Sequence, residues 1–90
     1  MYLKPDATPT EARHASYVAL ETAATQLREL AADLDRIVAS DKVHLAEYGD
    51  VYASHDSTKA STVQHVTSAV RDIARIQVSL IGAVEMAARA

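Results

Sequence analysis

The 90 residues predict an all-α protein, a long antiparallel helical hairpin expected to dimerise into a four-helix bundle. Two apolar stripes and the break between them carry that expectation. Leu20, Ala24, Leu27, Leu30, Ala31, Leu34, Ile37 and Val38 recur at spacings of three and four in the first half. Val63, Val66, Val70, Ile73, Ile76, Leu80, Ile81, Val84, Ala87 and Ala88 do the same in the second. Such spacing places apolar side chains on one face of a helix. Gly49 lies in the segment separating the stripes.

The elements follow in chain order. Residues 1–8 read as an extended N-terminal tail, and residues 9–90 as one helical-hairpin domain. Thr8-Pro9-Thr10-Glu11 is a helix-start signal. Threonine caps, proline at the first helical position has no N–H to leave unpaired, and the glutamate falls where a capping box needs it. A first helix is expected over 9–48, with Gly49 supplying the left-handed residue that ends it. Ser40 and Asp41 are good caps, and Asp41 projects onto the apolar stripe, so the helix either runs through this point or restarts there. Residues 49–57 form the connection, with Asp56 or Ser57 capping a second helix over 58–88.

The two stripes differ in width. On a projection of about 100° per residue the first covers an arc of roughly 140° and the second approaches 200°. A single neighbouring helix cannot cover the wider arc. Helix 2 is therefore expected to touch helix 1 on one side and another molecule on the other, through Val63, Val66, Val70, Ile73, Gln77, Leu80, Ile81 and Val84. A symmetric dimer is the economical closure, and a hetero-oligomer is the alternative. Gln77 falls within this stripe, where a buried polar residue would fix register at a cost in stability. Helix 1 is mainly acidic and helix 2 mainly basic, which favours their antiparallel pairing.

Composition narrows the function. Ninety residues make one small domain, and a core of Ala, Val, Leu and Ile without Trp or Phe buries little area per side chain. A net charge of −3 with scattered basic residues argues against nucleic-acid binding. With no cysteine there is no disulfide and no thiol chemistry. No signal peptide is visible, and Arg75, Gln77 and Glu85 interrupt the most apolar stretch, so no membrane span is expected. The chain is placed either in the cytoplasm or among proteins secreted without a cleavable signal. Arg outnumbers Lys and Asn is missing, a bias of GC-rich bacterial or phage genomes.

Catalytic signals are absent: there is no nucleophile elbow, phosphate-binding loop or zincin motif, and both glycines are isolated. No enzyme activity and no cofactor are expected. Asp41, His44 and His65 converge near the connection on a hairpin projection and form the alternative reading, a divalent-metal or pH-responsive site. Against it, the Glu-x-x-His pairs of helical di-metal sites do not occur. A second alternative is a peripheral membrane helix, with Arg71, Arg75 and Arg89 along one flank of helix 2. Tyr48, Val51 and Tyr52 form an aromatic patch at the connection, suited either to plugging the bundle end or to recognising a protein partner.

The length, the two-helix hairpin and the Tyr48-Gly49 turn resemble the W-x-G helical-hairpin proteins of bacterial type VII secretion. That family consists of non-catalytic hairpins that dimerise into four-helix bundles. The Trp-x-Gly itself is missing here. The Tyr-x-x-x-Asp/Glu export string occurs as Tyr52-Ala-Ser-His-Asp56 and as Tyr17-Val-Ala-Leu-Glu21, and not in the C-terminal tail. The resemblance implies a protein-interaction module that self-associates and binds another protein, as a secreted hairpin or as a small phage or bacterial regulator of a host protein.

Overall fold

A computed structural model describes residues 3–89. Three helices follow one another, α1 (Pro9–Tyr48), α2 (Asp50–Ser54) and α3 (Asp56–Ala88), and no strand occurs among the described residues. The helices α1 and α3 pack side by side into an antiparallel hairpin of 61 × 18 × 14 Å. Its radius of gyration is 19.4 Å, against about 12 Å for a compact domain of this length. The accessible surface is 6711 Å², where a compact monomer of the same mass exposes about 5,100 Å². A rod of two helices leaves far more apolar surface in water than a globule does.

Local chemistry sets the helix ends. The Thr8 hydroxyl accepts from the Glu11 N–H at 3.2 Å, and the Glu11 carboxylate accepts from the Thr8 N–H at 3.3 Å, closing a capping box with Pro9 at the first turn. At the far end Gly49 adopts φ +57°, ψ −134°, and its N–H reaches the Leu45 carbonyl at 2.8 Å. Its positive φ is open to glycine and costly for other residues. The helix runs unbroken through Ser40 and Asp41. Ser40 has no capping role there, because the following N–H groups are already bonded within the continuous helix, and its carbonyl accepts from His44 Nδ1 at 2.8 Å.

The connection is more structured than its composition suggests. Asp50–Ser54 forms a helical turn, and His55 rather than Asp56 or Ser57 caps α3, its Nδ1 accepting from the Ser57 N–H at 3.2 Å. Asp56 thereby enters the first turn, where its charge meets the positive end of the helix dipole. Residues 3–8 are not simply extended either. They turn at Pro5-Asp6, and the Arg89 guanidinium donates to the carbonyls of Lys4 (2.7 Å) and Pro5 (3.3 Å), strapping this segment across the end of the hairpin.

The buried seam is narrow and made of small side chains. Ala12, Ser16, Ala19 and Ala23 of α1 meet Ile76, Ala83 and Met86 of α3. Ser16 turns its hydroxyl back to the Arg13 carbonyl at 2.7 Å, so its burial leaves no orphan group. Beyond Gln26, whose amide oxygen accepts from the Ser79 hydroxyl at 3.3 Å, no residue of α1 is fully buried. The hairpin is tight at its Ala12–Met86 end and loose toward Gly49.

This corrects the sequence reading of the core. Of the first stripe, Ala24, Leu30 and Ile37 are part-buried, whereas Leu20, Leu27, Leu34 and Val38 each stay between 40% and 50% exposed. The seam lies one row over, on Ala12, Ser16, Ala19 and Ala23. Small side chains let two backbones approach closely, while the larger aliphatics flank the line of approach.

Candidate functional site: the apolar face and the tip

The displaced leucines define the most conspicuous surface. Viewed along each helix from its N-terminus, the row Leu20, Leu27, Leu34, Val38 and Leu45 lies about 55° clockwise from the α1 seam. The row Val66, Val70, Ile73, Gln77, Leu80 and Val84 lies about 100° clockwise from the α3 seam. Because α1 and α3 run in opposite directions, rotations of the same sense from the two seams carry both rows to the same side of the hairpin. Between Arg13 and Asp41 on α1 the charged residues on that side, Glu21, Arg28 and Asp35, keep to its outer edge, and beyond Lys59 on α3 no charged residue projects onto it. All these side chains are exposed, from 40% at Leu80 to 69% at Val84. Their apolar members together expose the equivalent of about five whole residues, on the order of 800 Å², the area each partner contributes to an ordinary stable interface.

Every residue expected at the interface is thus on the surface: Val63, Val66, Val70, Ile73, Gln77, Leu80, Ile81 and Val84 are all exposed. Val63 and Ile81 lie further round α3 than the rest, on its outer flank beside Val78. Gln77 sits within the face, and its amide makes no side-chain hydrogen bond there among the described residues. Leu45 extends the face toward the tip and lay outside the stripe read from sequence.

At the tip, α2 folds back against α1. The Tyr52 hydroxyl donates to Asp41 Oδ1 at 2.6 Å, and the His44 ring stacks on Tyr52 (5.3 Å, 21°) and more loosely on Tyr48 (6.4 Å, 27°). The hydrogen bond to Asp41 is the leading cause of a raised Tyr52 pKa, since ionising the phenol would break it beside a carboxylate. Tyr52 is therefore half-buried and engaged, while Tyr48 and Val51 stand exposed. The two roles weighed for the aromatic patch divide between residues: Tyr52 plugs the end, and Tyr48 and Val51 remain available.

Along the loose part of the seam a cleft of about 540 Å³ opens over Leu30, Leu34, Ile37 and Ala69, rimmed by Asp33, Asp41, His65 and Asp72. Asp41 and His65 do line one cleft, across the seam from each other. His44 is not with them, because its ring is stacked on the tyrosines and its Nδ1 bonds to Ser40. No group of three His, Asp or Glu side chains among the described residues is arranged to hold a metal ion. The carboxylates already have local partners: Asp33 pairs with Arg36, Asp72 with Arg75 at 3.4 Å, and Asp41 with Tyr52.

No family model, curated protein or solved structure matches the chain. Its chemistry must be read from its own residues. No helix among the described residues is long and apolar enough to cross a membrane, and Arg71, Arg75 and Arg89 do not border the charge-free face. Arg75 is tied to Asp72, and Arg89 to the strap.

Sequence reasoning missed the Ala12-Ser16-Ala19-Ala23 stripe, although its spacing of four, three and four was legible. Small residues carry little weight in a hydropathy pattern. His55 as a cap had no comparable signal, because histidine is an uncommon choice at that position.

Proposed function

We propose that this protein is a non-enzymatic interaction module that self-associates through the charge-free face into a four-helix bundle and, in that form, binds another protein. The observation that supports it most is the face itself, an interface-sized apolar surface uninterrupted by charge. Monomeric proteins seldom expose a contiguous apolar patch of this extent without using it. The loose polar half of the seam adds to this, because a hairpin with so small a core gains much by covering its second face.

Tyr48 and Val51 at the tip are the candidate recognition residues for the second protein, since an exposed aromatic on a rigid helix end offers area at little entropic cost. This reading fits a secreted hairpin of the type VII kind and a small phage or bacterial regulator equally. Light scattering after size exclusion, over a range of concentrations, tests it. The expected mass is twice the chain mass of 9.7 kDa; a folded monomer at every concentration overturns self-association.

A further inference from the structure

Along the outer edge of the apolar face, α1 carries one more regular feature. Its face residues fall into a heptad, with Leu20, Leu27 and Leu34 in one core row and Ala24, Ala31, Val38 and Leu45 in the other. The positions following Leu20, Leu27 and Leu34, away from α3, hold Glu21, Arg28 and Asp35, and one heptad further on, where Asp41 ends the leucine row, the corresponding position holds Lys42. These are four charges of strictly alternating sign, one per heptad, and all four are exposed. None has a charged residue three or four positions away in the helix, and none forms an ion pair among the described residues. Nothing among the described residues accounts for the alternation.

Residues that flank a heptad core set partner choice and orientation in helix pairs. A row reading minus, plus, minus, plus is complementary to a copy of itself running the other way. Glu21 meets Lys42 of a second copy, Arg28 meets its Asp35, and the two-fold symmetry repeats both pairs. The centre of that pairing falls between Ala31 and Ala32. A core register within one residue of it sets Ala31 against Leu34, Val38 against Leu27 and Leu45 against Leu20, so small residues face large ones. The same symmetry axis crosses α3 near Ile73, in the middle of its exposed row. The other way of closing the face, with α1 on the partner's α3 and the tips together, brings Glu21 level with Glu85.

We infer that the occupant of the apolar face is a second copy of this chain, packed α1 on α1 and α3 on α3 in opposite directions, with its orientation fixed by the alternating row Glu21, Arg28, Asp35 and Lys42. The two tips then lie at opposite ends of the bundle. The inference rests on the self-association reading and goes further in naming the orientation and the residues that set it.

The chain has no cysteine, so a single spin label at Val51→Cys reports the distance between tips. At about 1.5 Å rise per residue the opposed arrangement places the labels on the order of 55 Å apart. A dimer with labels within about 25 Å overturns the orientation and leaves self-association standing, whereas monomeric mass without dipolar coupling overturns both. Charge reversal supplies the second test. Arg28→Glu is expected to weaken the dimer about tenfold by setting two glutamates against two aspartates. Adding Asp35→Arg in the same chain restores affinity to within about twofold. Both positions are exposed and lack charged helical neighbours, so helix content by circular dichroism stays unchanged. An Arg28→Glu dimer as tight as the parent, or a double variant no tighter than the single, overturns the pairing.

Discussion

Thr8 and Glu11 close a reciprocal pair of hydrogen bonds at the start of α1, and the two ends of that pair respond to different perturbations. Removing the hydroxyl with Thr8→Ala leaves the Glu11 N–H without its partner and costs about 1 kcal/mol, seen as a lower melting temperature. Acid acts on the other half. The Thr8 backbone N–H, ahead of the Thr8 side chain, holds the Glu11 carboxyl below its ordinary pKa. A depressed folded pKa means that the contribution is complete above the ordinary carboxylate range and is lost as pH falls through the folded value. Protection of the Thr8 amide, measured against its intrinsic exchange rate at each pH, should therefore fall on acidification, and Glu11→Gln should flatten that dependence. Tyr52 has the opposite sign. Its pKa is raised by the bond to Asp41, so its contribution is complete below the ordinary tyrosine range and fades as pH rises through the folded value. Tyr52→Phe should free α2 from α1, detectable as faster exchange over Asp50–Ser54, with the far end of the hairpin unaffected.

At the scale of the helices, the seam decides which substitutions are tolerated. Ile76 is the largest aliphatic side chain buried between α1 and α3, and Ile76→Ala is expected to cost about 2–4 kcal/mol in thermal unfolding. Ala23 is 1% exposed against α3; Ala23→Leu has nowhere to go and should cost about 1–3 kcal/mol by forcing the helices apart. Leu20→Ala, one row away and half exposed, should cost less than either in the hairpin itself. These contrasts show where the sequence was readable. The helical period, the capping box and the role of Gly49 are local signals, each written within a few residues, and they are legible at Thr8–Glu11 and at Tyr48-Gly49. Which of two adjacent rows forms the seam is not local. It depends on how closely two backbones come, and alanine and serine weigh little in a pattern of apolar residues while deciding that distance. The Tyr52–Asp41 bond was hidden for a related reason: it needs the connection to coil into α2, and Asp50–Ser54 has no cap of its own.

For the molecule as a whole, the exposed face is the quantity to perturb. Ile73→Asp places a charge with no partner at the centre of that face. Since Ile73 is 47% exposed in the hairpin, the variant should keep its helices while losing oligomeric mass, as read by light scattering beside circular dichroism. The position of the face was in part legible: the wide arc of α3 announced that one neighbour would not cover it. That α1 offers its leucines to the same side emerged only from the handedness of the packing. The metal reading of Asp41, His44 and His65 met the opposite outcome, because a projection brings residues to one level without saying that His44 stacks on tyrosines.

The alanine-lined seam has a consequence for how long the chain persists. A hairpin held by five small residues, one isoleucine and one methionine retains little stability of its own. Whatever covers its apolar face adds stability in proportion to the logarithm of that companion's free concentration. The midpoint of thermal unfolding should then climb as the protein is concentrated. A copy made in excess of its companions would spend more time open and be cleared faster by proteases that attack unfolded segments. Supply and turnover would be tied together by the size of five side chains.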